Sequence, residues 1–547
     1  MSGSPVPESH DAGSPAAELD VVVVGAGFSG IYLLHKLREQ GLSVRVLEAG
    51  GGVGGTWYFN RYPGARCDVE SVEYGFSFSP ELDEQWRWSE RYSTQPDILA
   101  YLDTVADTLD LRRDIQLDTR VASAHHDEAA ARWTVRTEAG EELSARFCVM
   151  ATGCLSKPKA PDIPGEGSFA GPTYYTSSWP HEGVDFIGLR VGVIGTGSSG
   201  IQSIPLIAKE AAHLHVFQRT ANYVVPAHNH DLPEDAHRPE HLAVRRQSGL
   251  DCPLGIAFDF TDANLKAATE LTPEERNAEF ERMWRLGGLT MILAFADLLV
   301  DEEAGNAAAE FVNDKIRARV DDPEVAEILI PKGYPFGAKR LCVDIDYYET
   351  YNRDNVTLVD LRVTPIETIT SAGVRTTQTE VELDALVLAT GFDAMTGALA
   401  AIDIRGRGGL ALKDKWAAGP RTYLGLGIAG FPNLFTVTGP GSPSVLSNMR
   451  VSIEQHVNWI TDCIRYLDER DLRTIEATEQ AEDQWVAHVN EVGEPTVFSK
   501  GNSWYVGANV PGKPRVFMPY IGGVPLYRET CADVAAKGYE GFELTPA

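Results

Sequence analysis

Two short glycine turns are the residues whose spacing most clearly implies chemistry. Gly25-Ala-Gly27-Phe28-Ser-Gly30 and Gly195-Thr-Gly197-Ser198-Ser199-Gly200 share the form GxGxxG. In such a turn the first glycine permits the tight bend, the second lets backbone approach a diphosphate, and the third lets helix pack on strand. The positive end of the following helix then meets the diphosphate. A carboxylate ending the next strand can accept both hydroxyls of a ribose, and Glu48 holds that place after the first turn. After the second turn the same place reads Gln218-Arg219-Thr220. A carboxylate there would repel a 2′-phosphate, whereas a guanidinium binds one through its fork of N–H groups. The first turn therefore reads as a site for FAD or NAD, and the second as a site for NADP.

Each turn needs a strand before it and a helix after it. The apolar run at 19–24 predicts the first strand, the periodicity of 31–40 a helix stopping at Gly41, and residues 43–47 a second strand. The second unit repeats this order with a strand at 191–194, a helix at 201–211 and a strand at 213–217. Two more apolar strands, 147–150 and 385–388, close on Ala151-Thr-Gly153 and Ala389-Thr-Gly391, as where a chain crosses from one nucleotide unit to another. The expected fold is α/β, with two Rossmann-like dinucleotide-binding domains, the second inserted into the first. Residues 19–155 and 388–547 would form the FAD-binding domain, and 156–225 and 333–387 the NADP-binding domain. Residues 226–332, rich in Ala, Glu, Arg and Leu with helical periodicity as in NAEFERMWRLGGLTMILAFADLLV, would form a helical insertion.

Composition removes several classes of function. Lys plus Arg number 48 against 78 Asp plus Glu, a formal charge of −30. A nucleic-acid binder or a protein held to anionic lipid needs a basic face, so neither partner is expected. No apolar run approaches the ~18 residues that span a bilayer. Residues 1–18 lack a basic or apolar leader and read as a flexible acidic tail, so a cytoplasmic enzyme is expected. The seven cysteines, Cys67, Cys148, Cys154, Cys252, Cys342, Cys463 and Cys531, include no CxxC pair. A disulfide framework, a structural metal site and a redox dithiol all lose support. Buried small hydrophobes is the reading for all except Cys67, and nothing calls for an obligate protein partner.

Two longer motifs narrow the chemistry. Gly54-Gly55-Thr56-Trp57-Tyr58-Phe-Asn-Arg-Tyr62-Pro63-Gly64-Ala-Arg66-Cys67-Asp68 follows the first unit, and Phe169-Ala-Gly171-Pro-Thr-Tyr-Tyr175-Thr-Ser-Ser-Trp179-Pro180 precedes the second. Here the chain resembles the type I Baeyer–Villiger monooxygenases. The first stretch matches that family's [A/G]GxWxxxx[F/Y]P[G/M]xxxD at every specified position. The second matches FxGxxxHxxxW[P/D] except that Tyr175 stands where the family has His. GVIGTGSSGIQ, ATGFDAMTGAL, GPGSPSVLSNM and GANVPGKPRVFM place it nearest the phenylacetone and steroid monooxygenases.

The resemblance implies that NADPH, FAD and O2 convert a ketone to an ester or lactone through a C4a-peroxyflavin. It implies Arg340 as the catalytic cation and Asp68 as its carboxylate partner. FAD contacts would come from Gly25, Gly27, Phe28, Gly30, Glu48, Thr56, Trp57, Tyr58, Asp68, Tyr74, Val121 and Met449. NADP would be held by Arg66, Cys67, Gly197, Ser198, Ser199, Gly200, Gln202, Arg219, Thr220, Lys339 and Arg340, with Trp504 closing over the nicotinamide from a loop that orders and disorders. The ketone pocket would be lined by Val69, Cys154, Leu155, Ser444, Val445, Leu446 and Met449, an apolar set suited to aryl, cyclic or bulky ketones. Tyr175 would lie in a linker between the nucleotide domains. The rival activities are a flavin N- or S-oxygenase, against which Trp179-Pro180 argues, and a catalytically weak NADPH oxidase or scaffold, against which the intact Arg340 and Asp68 argue.

Overall fold

The computed structural model describes residues 18–547, so the tail expected at 1–18 lies, but for Glu18, outside the described residues. The first sheet is built around Glu18–Val24, which pairs in parallel with Val44–Leu47 on one side and Glu142–Met150 on the other. Four consecutive buried valines, Val21 to Val24, suit a strand covered on both faces. Beyond Glu142–Met150 the sheet becomes antiparallel through Arg132–Thr137 and Val121–Asp127. Later segments return to it, Asp403–Arg405 beside Val121–Asp127 and Leu434–Thr436 beside Glu142–Met150. Helix Phe28–Glu39 covers one face and packs against helix Met449–Glu469 from the distant end of the sequence.

The second sheet is wholly parallel, in the order Val356–Asp360, His213–Gln218, Arg190–Ile194, Ala385–Leu388, Thr173–Tyr175. Helix Ser198–Glu210 follows its glycine turn. The chain thus has the α/β architecture with two Rossmann-like units. Tyr175 differs from expectation: it ends the edge strand of this sheet, opposite Leu388, and its hydroxyl donates to Glu166 Oε1 at 3.0 Å.

Between strands His213–Gln218 and Val356–Asp360 the chain forms helices Pro239–Asp251, Pro273–Leu286, Glu302–Arg319 and Pro323–Leu329. The periodicity around residue 280 does not continue as one helix. Gly287 and Gly288 take φ of 72° and 67°, where a Cβ on Gly287 would sit 2.5 Å from Pro226 O. The helix stops at Leu286 and a 3₁₀ segment, Gly288–Leu293, follows. Among the described residues no helix is long and apolar enough to cross a membrane.

Candidate active site

Both glycine turns open into one cleft of about 1660 Å³. Sites for single small ligands usually hold about 300–1,000 Å³, so this one has room for two dinucleotides.

In the first half, Gly25 bends at φ 105° with its α-carbon against Ala151 O, and Gly30 packs onto Gly25 O, closing the turn on itself. Gly27 faces Gly55: a Cβ on Gly27 would come 3.4 Å from Gly55 Cα, so bare backbone lines the path there. A side chain would fill this cradle; a diphosphate suits it. Glu48, only 4% exposed, accepts from Ala26 N and Gly50 N, each at 2.7 Å, and braces the turn while still facing the cleft. Burial raises its pKa and the backbone donors pull it back. Phe28, Thr56, Trp57, Tyr74 and Val121 line the same half, with Trp57 Nε1 donating to the Tyr74 hydroxyl at 3.2 Å. Tyr58 does not line the cleft. Its ring lies across Gly50 and Gly52 and meets His181 edge-on at 5.1 Å between centroids, so it packs behind the wall.

In the second half, nothing lies within 4 Å of the place a Cβ on Gly197 would take. Gly200 packs onto Gly195 O, as Gly30 does onto Gly25, so both third glycines act through the turn rather than on the wall. Ser198, Ser199, Gln202 and Thr220 face the cleft. Gln202 also joins the two units: its Nε2 donates to Arg66 O at 3.0 Å and its Oε1 accepts from the Tyr62 hydroxyl at 2.8 Å. Gly64, at φ 79°, lets that loop lie against Gln202 O. The stretch 54–68 is therefore the joint between the units. Arg219 and Lys339 line the cleft, and among the described residues neither forms an ion pair. Burial, then repulsion from Arg219, lowers the Lys339 pKa. Two cations without a carboxylate are suited to a phosphate. Arg66 is tethered by Glu90 at 2.7 Å and by Tyr92 O, partners that no local pattern in the sequence signals. Cys67 is buried, and burial drives its thiol pKa well up, so it is an inert part of the wall. All seven cysteines are free and buried.

Between the halves lies Arg340. Its Nε and Nη2 donate to the two Asp68 oxygens, each at 2.9 Å, and its Nη1 donates to Val445 O at 2.9 Å. The side chains are 21% and 28% exposed, so the pair is shielded without being sealed. Burial works against the guanidinium charge, but Asp68 and the neighbouring Tyr505 phenol outweigh it and hold the pKa above the ordinary arginine value. Burial pushes Tyr505 up to about 12, against the pull of Arg340. Val445 takes φ 69°, a strained conformation for a β-branched residue, and its N–H donates to Met449 Sδ at 3.1 Å. Strain here accompanies the carbonyl that holds the guanidinium.

Val69, Cys154, Leu155, Val445 and Met449 line an apolar wall nearby. Ser444 and Leu446 do not line it. Ser444 is fully buried and accepts from Ser442 Oγ at 2.9 Å, while Leu446 packs with Phe498 and Met518 behind the wall. Trp504 faces the cleft from the 3₁₀ segment Trp504–Val506. Its loop is anchored to residues 392–393: Lys513 Nζ donates to Asp393 Oδ1 at 2.6 Å, and Asn509 Nδ2 to Phe392 O at 2.7 Å. Sequence reasoning missed Ser503 and Asn509, which line the cleft with Ser503 Oγ and Asn509 Oδ1 buried and without hydrogen-bond partners. Such orphaned acceptors fit a bound polar ligand.

Fold and site define a protein built to hold two dinucleotides in one cleft, with a fixed cation and its carboxylate between them. A family model for pyridine nucleotide-disulphide oxidoreductases matches residues 22–231. The chain has no CxxC pair, and its seven cysteines are free. The chain is 45% identical over 532 residues to the acetone monooxygenase (methyl acetate-forming) of Gordonia sp. (strain TY-5), covering 96% of this chain and 99% of that one. It is 44% identical over 531 residues to a phenazine N-monooxygenase of Lysobacter antibioticus, covering 96% and 97%. A solved structure, oxidized steroid monooxygenase bound to NADP, matches with a TM-score of 0.93 at 54% identity, covering 97% of this chain and 100% of that one. The chain belongs to the Baeyer–Villiger monooxygenase family.

Proposed function

We propose that the protein binds FAD in the first half of the cleft and NADP(H) in the second, and converts ketones to esters or lactones. The balance is ketone, O2, NADPH and a proton giving ester, NADP⁺ and water. When bound, the flavin supplies dioxygen activation with electrons taken from NADPH. The observation that carries the reading is Arg340, charged at every working pH and fixed by three hydrogen bonds at the meeting of the two halves. A preorganised cation in a shielded site stabilises negative charge as it develops on oxygen beside the attacked carbonyl. Asp68 orients that cation. Val69, Cys154, Leu155, Val445 and Met449 exclude water and favour aryl, cyclic or bulky alkyl groups.

The contact residues in each half are part of this proposal. So is the division into a flavin unit (19–155 and 388–547), an NADP unit (156–225 and 333–387) and an insertion (226–332). Its support is that the segments return to their sheets in that order. A cytoplasmic location and the lack of an obligate partner complete the reading, consistent with the charge of −30.

A second reading, oxygenation of an aromatic nitrogen, has the phenazine N-monooxygenase relative in its favour. Attack by nitrogen creates no anion beside a carbonyl, so it gives Arg340 less to do. The test is a panel of phenyl methyl, cyclic and steroid ketones beside phenazine, scored together for oxygenated product, NADPH use and hydrogen peroxide. Ester formed in step with NADPH use supports the proposal. N-oxide without ester supports the second reading, and peroxide alone contradicts both.

A further inference from the structure

Residues 156–163 border the cleft, and the segment 156–164 is fastened at both ends. Lys159 N donates to Gly391 O at 3.0 Å beside a bridge from Pro158 to Phe392, and Pro164 O accepts from Ile369 N at 2.8 Å. Burial alternates along the path: Lys159, Pro161 and Ile163 are half-buried, whereas Pro158, Ala160, Asp162 and Pro164 are exposed. Lys159, Pro161 and Ile163 all line the cleft, and the more exposed Pro158 and Asp162 border it as well. Lys159 is the half-buried cation of this path, set between the exposed Pro158 and Ala160.

Its charge lies near that of Arg219, which lowers the Lys159 pKa after burial, as it lowers that of Lys339. Asp162 attracts Lys159 without reaching ion-pair distance, and among the described residues none of the three cations forms an ion pair. Lys159, Arg219 and Lys339 line one cleft and outnumber Asp162, the carboxylate beside them, so they repel one another until a further anion arrives. A phosphate monoester carries about −1.5 to −2 near neutral pH and offers three acceptor oxygens.

We infer that Lys159 is a third cation for the 2′-phosphate of NADP(H), and with Arg219 and Lys339 sets the preference for NADPH over NADH. The inference rests on the proposed assignment of Arg219 and Lys339 to that phosphate. NADH lacks the group, so Lys159 has no partner in the NADH complex.

The test uses FAD-loaded wild type, Lys159→Met, Lys159→Gln, Lys159→Arg and Arg219→Ala. Adenosine 2′,5′-bisphosphate and 5′-AMP are titrated into each by calorimetry, and kcat/KM is measured for NADPH and NADH. Both neutral Lys159 variants should lose at least about fivefold in bisphosphate affinity and in kcat/KM for NADPH, a change well within the reach of one charge-assisted contact. Their 5′-AMP affinity and NADH kinetics should stay within about twofold, and Lys159→Arg should keep most of the bisphosphate affinity. Unchanged bisphosphate binding in the neutral variants, with binding lost in Arg219→Ala, overturns the inference and leaves the assignment of Arg219 standing. Unchanged binding in Arg219→Ala as well overturns both. Equal losses toward bisphosphate and 5′-AMP would show that Lys159 supports the wall and not the phosphate.

Discussion

Replacing Asp68 by Ala should slow oxygenation about thirtyfold while flavin reduction by NADPH stays within about threefold. The carboxylate makes two 2.9 Å bonds to Arg340, and its removal leaves the guanidinium with the Val445 O bond and the neighbouring Tyr505 phenol. Breaking a fully buried ion pair costs about 3–5 kcal/mol and an exposed one about 0–1 kcal/mol. With 21% and 28% of the two side chains exposed, the pair lies between these limits. A loss of about 2 kcal/mol in holding the cation where charge develops corresponds to about thirtyfold in rate. Asp68→Asn keeps one acceptor and should lose only about fivefold, near 1 kcal/mol. Anaerobic stopped-flow reduction by NADPH isolates the first half-reaction, and ester appearance under saturating ketone reports the second. An Asp68→Ala enzyme that makes ester at the wild-type rate would refute the reasoning. So would one whose reduction slows as much as its oxygenation, since Asp68 would then serve hydride transfer instead.

Three further outcomes follow from the structure. His456 is fully buried, accepts from Thr438 N at 3.0 Å and contacts the Tyr527 hydroxyl at 3.0 Å; burial lowers its pKa to about 3. The unfolded chain takes up a proton near pH 6.5 and the folded chain does not, so stability falls as pH drops from 6.5 toward 3, by about 2 kcal/mol at pH 5. Denaturant unfolding of His456→Gln should show a correspondingly smaller loss between pH 7.5 and pH 5, and an equal loss would contradict the assignment. Tyr175 is half-exposed and bonded to Glu166 on an edge strand, so Tyr175→His should change coupled ketone turnover by less than about tenfold. A larger gain would mark the tyrosine as a defect. NADPH should exceed NADH by at least about tenfold in kcat/KM, about 1.4 kcal/mol, and Arg219→Ala should erase most of that margin; equal use by the wild type would remove the reason for the phosphate assignment.

The two glycine turns were legible because their signal is local: strand, turn and helix follow one another within about thirty residues. Arg340 and Asp68 were legible only through resemblance, since nothing in their own neighbourhoods says that two distant segments meet. What escaped depends on contacts between distant segments or on single dihedrals. Tyr58 shares a motif with Thr56 and Trp57, but the bare Gly50 and Gly52 draw its ring to the outer side. Ser444 and Leu446 flank Val445, whose φ of 69° turns the backbone so that only Val445 of the three faces the cleft. The apolar pattern past Leu286 looks helical, yet two positive-φ glycines end the helix. Glu90, which tethers Arg66, and Ser503 with Asn509 acquire their roles from folding alone.

The central claim is that Arg340 serves oxygen insertion and not the delivery of electrons. Its direct test is the ratio of ester formed to NADPH consumed in Arg340→Ala, with anaerobic reduction of the same preparation measured alongside. The account predicts reduction near the wild-type rate and ester formation down by about a hundredfold or more, as loss of a preorganised charge worth about 3–4 kcal/mol requires, with the consumed NADPH recovered as hydrogen peroxide. Ester formed at a ratio near that of the wild type would contradict it.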